Sequence, residues 1–323
     1  MPVEIPQEII ASRDTPALGA LIALVFIAGL AVLAGMTGVS TILFPEMGAL
    51  THDVLTRPSG TWARAPLALA LTPVATALIG IVLARHIGFG VVPVLLSVGS
   101  TVAILQIFRS PIAPALSAGL LPLVLGITTW WYPPSILLGT AALALLAILR
   151  RMAVERSTRA SFDERSATAD DEAEAAASGW GWLPPFFGFL LLVVMLADAT
   201  DWRLFLFPPL VVMAYEMFAH PTACPWAGRL WALPLASTLS AVIGVAFVGM
   251  LGAGVVAAVL TLGISILLLR LLDLHAPPVL AVGLLPFVMS HPDWRLPLAV
   301  AGSLLILIGS FTLTRRWRAG QTP

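Results

Sequence analysis

Gly119-Leu120-Leu121-Pro122 returns as Gly283-Leu284-Leu285-Pro286, 164 residues later, and the stretch around it decides the fold. At the same offset and without a gap, Pro114 falls on Pro278, Gly99 on Gly263, Gly90 on Gly254, Gly88 on Gly252, Gly80 on Gly244 and Trp62 on Trp226. Downstream, Trp130 falls on Trp294 and Pro133 on Pro297. Upstream of the tryptophans the offset is 163, so that Leu43-Phe44-Pro45 falls on Leu206-Phe207-Pro208, Asp53 on Glu216 and Pro58 on Pro221. Two copies of one unit make the chain. Both are overwhelmingly apolar, and the duplication reads as the internal repeat of membrane transport folds, where the substrate path follows the seam between halves.

Composition points the same way. Of 323 residues 59% are hydrophobic and only 11% charged, whereas a soluble domain is about a quarter charged; the mean hydropathy is +0.98. Uncharged runs such as 17–33, 67–83, 91–108, 232–250 and 298–313 approach the roughly 20 residues that a spanning helix needs. They lack the polar alternation of barrel strands. The fold class expected is an all-α polytopic membrane protein with two tandem homologous repeats. Each has about six hydrophobic segments, some of them broken or re-entrant. The segments are 17–43, 44–56, 66–84, 89–108, 111–128 and 133–149 in the first copy, and 182–197, 203–219, 230–250, 252–269, 275–289 and 295–314 in the second.

Residues 1–16 read as an acidic leader without the basic start of a secretory signal, so the first apolar run is kept as a span. Residues 150–178 hold five arginines and seven carboxylates, the last four of them after the final arginine, a solvated linker that buries nothing. Residues 315–323 read as a basic tail. If every segment crosses, the arginines of the loops divide fourteen against three. The positive-inside rule then puts the arginine-rich side, both termini and the linker in the cytoplasm, with the protein in the inner membrane. Even parity makes the repeats parallel, related by an axis along the membrane normal. The lone cysteine, Cys224, supports neither a disulfide framework nor a Cys-rich metal site, and on this topology its loop faces the cytoplasm.

Three places bring polar groups near membrane depth. Asp53 with His52 and Arg57, and Glu216 with His220, each set a carboxylate four residues before a basic side chain, on one helical face. They read either as interfacial ion pairs or as gating and proton-handling pairs, since ionisable groups inside spans are costly and usually functional. Pro111 and Pro114, and His275 with Pro277 and Pro278, head the fifth segments. Prolines early in a helix leave its first amides free, and those amides with the helix dipole suit an anion; His275 could donate to that anion or carry a proton. Gln106 and Arg109, facing Arg270 and Asp273 of the other copy, read as cytoplasmic segment ends with snorkelling arginines.

Phe44–Pro66, running through Gly48-Ala49 to a proline-rich turn and a small-residue span, and His275-Ala276-Pro277-Pro278 at a helix start resemble the HPP family of integral membrane proteins. Ala276 interrupts the His-Pro-Pro triplet and Pro111 stands where the first copy would have the histidine. Members of that family are linked to nitrite transport in plastids and cyanobacteria, so the resemblance implies passage of a small anion.

The leading expectation is a secondary transporter or channel for a small solute, a small nitrite-like anion, with its path at the seam. The lipid bilayer and a small-molecule or ion substrate are the partners, association into a homo-oligomer is left open, and neither nucleic acid, metal nor cofactor is expected. No nucleotide loop or catalytic constellation occurs, so the chain is not read as an enzyme. The alternatives are an intramembrane lipid-modifying enzyme, against which the scatter of five histidines argues, and a non-transporting scaffold docked through the linker.

Overall fold

The computed structural model describes residues 7–157, 177 and 179–319, and among these it is helical throughout, with no strand. The first half comprises α1 (Gln7–Thr37), α2 (Glu46–Thr56), α3 (Pro66–His86), α4 (Val91–Ile107), α5 (Ala115–Leu125) and α6 (Tyr132–Ser157). The second comprises α7 (Leu183–Ala199), α8 (Pro208–Ala219), α9 (Ala232–Leu251), α10 (Val255–Leu271), α11 (Pro278–Leu284) and α12 (Arg295–Ala319). Short 3-10 turns precede α2 and α8 and follow α11.

Five helices, with spans Pro16–Thr37, Pro66–His86, Tyr132–Val154, Ala232–Leu251 and Arg295–Arg318, are long and apolar enough to cross a membrane. Their surfaces match that setting. α3 exposes Leu67, Leu71, Leu78 and Val82 along one face, and α1 exposes Leu18, Leu21, Val25, Val32 and Met36, while the opposite faces pack inward. Helices apolar on both faces fit hydrocarbon rather than water.

The helices outrun the hydrophobic segments. α1 starts within the expected leader, α6 continues eight residues past 149, and α12 includes three arginines of the expected tail. Hydropathy ends before helicity does, because Ala, Arg, Met and Glu are good helix formers. Residues 1–6, 158–176, 178 and 320–323, which hold most of the expected linker, lie outside the described residues.

The second and fifth segments are short, as expected: α2 and α5 have 11 residues, α8 has 12 and α11 has 7. An 11-residue helix is about 16 Å long, roughly half a bilayer core. These four helices gather where the halves meet, α2 against α11 and α5 against α8, and α1–α10 and α4–α7 contacts flank them. Within the first half α3 is the hub, packing on α4, α5 and α6; within the second, α9 packs on α10, α11 and α12.

Backbone detail recurs at the sequence offset. Left-handed residues occur at Gly38 and Asp201, at Gly88 and Gly252, and at Arg109 and Asp273, the last two both with φ 47°. A Cβ on Gly80 would lie 2.1 Å from the Gly119 carbonyl oxygen, and one on Gly244 2.1 Å from that of Gly283, so each hub crosses its short helix backbone to backbone. Thr76 donates to the Ala115 carbonyl at 2.8 Å and Ser240 to that of Val279 at 3.0 Å.

Candidate functional site

α2 and α8 begin anew after Phe44 and Phe207, which are extended (ψ 124° and 133°) because the proline that follows each excludes the helical region. Both end two residues before a proline, Pro58 and Pro221, which cannot continue a helix. Arg57 and His220 close them with amides bonded to the carbonyls of Asp53 (2.9 Å) and Glu216 (3.0 Å). A carboxylate thus sits one turn before the end of each.

Asp53 is completely buried. Its Oδ1 accepts from Arg57 Nε at 2.8 Å and from an Arg57 terminal nitrogen at 2.5 Å. The imidazole of His275, on the segment leading into α11, brings Nε2 to 3.6 Å from the same oxygen. That distance exceeds a hydrogen bond but is an ion-pair distance once the ring is protonated. Asp53 Oδ2 accepts no hydrogen bond among the described residues. His52, half-buried beside it, feels the charges of Asp53, His275, Arg270 and Arg57. Residues the sequence assigns to two separate roles therefore form one cluster, and it joins the first half to the second. The expected scatter of histidines is corrected here, since His52 and His275 share this site.

The counterpart is built differently. Glu216 is buried, and Tyr215 stands where the first half has His52. The Tyr215 ring lies 6.2 Å from that of His220, and its hydroxyl accepts the Ala177 amide at 3.3 Å. The position matching His275 is Pro111, whose carbonyl accepts from Trp62 Nε1 at 3.0 Å. Proline has no group that could titrate against Glu216.

The paired helix starts need correcting. The amides of Ala115, Leu116 and Ser117 bond the carbonyls of Ile112, Ala113 and Pro114 at 3.0–3.1 Å, and those of Val279 and Leu280 bond Ala276 and Pro277 at 3.0 Å. Pro114, Pro277 and Pro278 are buried and Pro111 is half-buried. The prolines set tight turns whose own carbonyls satisfy the next amides three residues on, so the amides that follow Pro111, Pro114, Pro277 and Pro278 at positions 115–117 and 279–280 are already bonded within the chain. Asp273 pairs at the surface with Arg229 at 3.6 Å.

One polar residue of this region went unread in the sequence. Glu46, the first residue of α2, is 2% exposed. Its signal is available in hindsight: Pro209 occupies the matching position of the second copy. Cys224 is also buried, and burial pushes its thiol well above the usual range. Its labelling therefore reports protection before it reports sidedness. Among the described residues no three His, Cys, Asp or Glu side chains gather as metal ligands do.

No family model, no curated protein and no solved structure matches this chain.

Proposed function

We propose that the chain is a tandem-duplicated integral membrane protein that moves a small solute across the bilayer along the seam between its halves, with Asp53, Arg57 and His275 as its proton-responsive gate. The approach of His275 to Asp53, one residue from each half, carries this reading. A charged imidazole competes with Arg57 for the buried carboxylate, and a neutral one releases it. Protonation is thereby tied to how α2 and the segment before α11 sit together. Buried ionisable groups of this kind are expensive and are kept where ions or protons move.

The solute proposed is a small anion. With the helix-start amides occupied, its support is the basic surroundings of the seam: Arg57 bonds the Asp53 carboxylate, His275 lies at ion-pair distance from it, and the charge of Arg270 acts on the neighbouring His52. The HPP resemblance supplies nitrite as the first solute to try.

The test is uptake by proteoliposomes of the full chain, screened over nitrite and other small anions with and without a pH gradient. The expected result is gradient-dependent uptake that Asp53→Asn abolishes and whose pH dependence His275→Ala flattens. Absence of flux, or identical flux in wild type and both variants, would favour the scaffold reading.

A further inference from the structure

Glu46 lies outside the Asp53 cluster, in the body of the first half, and its surroundings define a second site. Both carboxyl oxygens are buried and accept no hydrogen bond among the described residues. The groups that approach are the Ser117 hydroxyl of α5 and the residue's own amide, neither in hydrogen-bonding geometry. The Ser117 hydroxyl is itself buried without a partner. Tyr132 of α6 completes the surroundings; it is fully buried, and its hydroxyl donates to the Ala118 carbonyl at 2.7 Å.

The second copy replaces these three residues by groups without a titratable or hydroxyl function. Glu46, Ser117 and Tyr132 correspond to Pro209, Ala281 and Leu296, so the second copy lacks all three polar groups while keeping the glycines of the hub crossing and the hub hydroxyl that ties it, Thr76 in the first copy and Ser240 in the second. A carboxyl kept only to start a helix would not require a serine and a tyrosine on two other helices. An ionised carboxylate here would lack both water and a counter-charge, and such a group is stable only if it is neutralised or paired. The titratable and charged groups on the elements packed against α2 are Tyr132, Arg150, Arg151, Glu155 and Arg156 on α6, Glu8, Arg13 and Asp14 at the start of α1, His275 just before α11, and His52, Asp53 and Arg57 on α2 itself. Arg150 Nε donates to the Leu55 carbonyl at 2.9 Å, at the opposite end of α2 from Glu46. A metal ion would need more oxygens than one carboxylate and one hydroxyl provide.

We propose that Glu46, with Ser117 and Tyr132, is a proton-binding site of the first half, distinct from the Asp53 cluster. Binding forms one O–H bond on the carboxylate and consumes one proton from the aqueous phase; release reverses it. The Ser117 hydroxyl, itself without a partner, is the group a small side-chain rotation would bring to the protonated acid as its acceptor, and the tyrosine, held by Ala118, walls the site.

Infrared difference spectroscopy of the full chain in lipid nanodiscs reads this carboxyl directly and independently of transport, so its failure would leave the proposed transport role standing. The expected result at neutral pH is a protonated-carboxyl C=O band that shifts in heavy water and is lost in Glu46→Gln. If that variant does not fold, Ser117→Ala serves instead; it should move the band's frequency and the pH at which the band disappears. A wild-type spectrum without the band, a band untouched by both substitutions, or a band that vanishes when sodium chloride replaces choline chloride would overturn the assignment. The last outcome would make the occupant a metal cation.

Discussion

The two halves share a framework and differ in what they bury inside it. In both, a hub helix crosses a short helix at glycine, and a hub hydroxyl ties the crossing to the same carbonyl. The first half buries Glu46 and Asp53 in α2 with Ser117 and Tyr132 nearby, whereas α8 and its neighbours keep Glu216 and fill the remaining positions with Pro209, Ala281 and Leu296. Backbone-to-backbone contact tolerates no added atom, so the framework is held in both copies. Side-chain polarity at the centre is free to diverge, and it has collected on one side.

The glycine crossings offer the hardest way to break the likeness. Gly80→Ala and Gly244→Ala should each lower stability by about 3 kcal/mol or more, because the new Cβ meets a carbonyl oxygen that belongs to a packed helix. Gly29→Ala, with nothing within 4 Å of its added carbon, is the control and should be neutral or slightly stabilising. Unfolding midpoints in detergent measure all three. Tolerance at one crossing alone would end the claim of a shared framework.

The carboxylates sharpen the difference. Asp53→Asn removes the charged acceptor of two Arg57 hydrogen bonds and should cost about 2 kcal/mol. In the uptake assay it should abolish the gradient response, while Glu216→Gln, with proline at the matching approach, should leave that response in place. Equal effects on uptake would mean that the two halves carry the same chemistry.

Smaller effects are expected at the hub hydroxyls. Thr76→Val and Ser240→Ala each remove a buried hydrogen bond to an equivalent carbonyl and should cost about 1 kcal/mol apiece. A cost at Thr76 several times that at Ser240 would assign the framework mainly to the first half.

Cys224 gives the mildest test. Its raised thiol pKa leaves little thiolate at neutral pH, so alkylation of the folded protein should be slow and should quicken as the pH rises or the protein is denatured. Because it is buried, the sidedness of this loop is better read from Thr222→Cys in a Cys224→Ser background, position 222 being exposed. Labelling of that variant from outside intact cells would overturn the cytoplasmic placement of the loop.

Much of the helical order is legible in the chain itself. Apolar runs locate the five long helices, and the proline-bounded segments come out short in both copies. Helix ends were misplaced where Ala- and Arg-rich stretches continue a helix beyond its apolar part. Asp53, Arg57 and His275 could each be picked out, but as members of different sites. Glu46 passed unnoticed because a glutamate after proline is an ordinary helix start, and only its burial makes it unusual.

Sequence alone determined the elements and the recurrence of glycines and prolines at a fixed offset, since hydropathy, proline breaks and residue spacing are local properties that survive without any knowledge of neighbours. Tertiary structure decided which polar groups meet. Asp53 and His275 are 222 residues apart, and their approach exists only because α2 packs on α11. The helix-start amides show the same limit at short range: proline predicts a helix start, but whether its amides stay open depends on the turn that the packed chain adopts. Desolvation, which turns Glu46 from a surface charge into a buried acid, is likewise a property of the assembled helices, because water is excluded by neighbours and not by the residue itself.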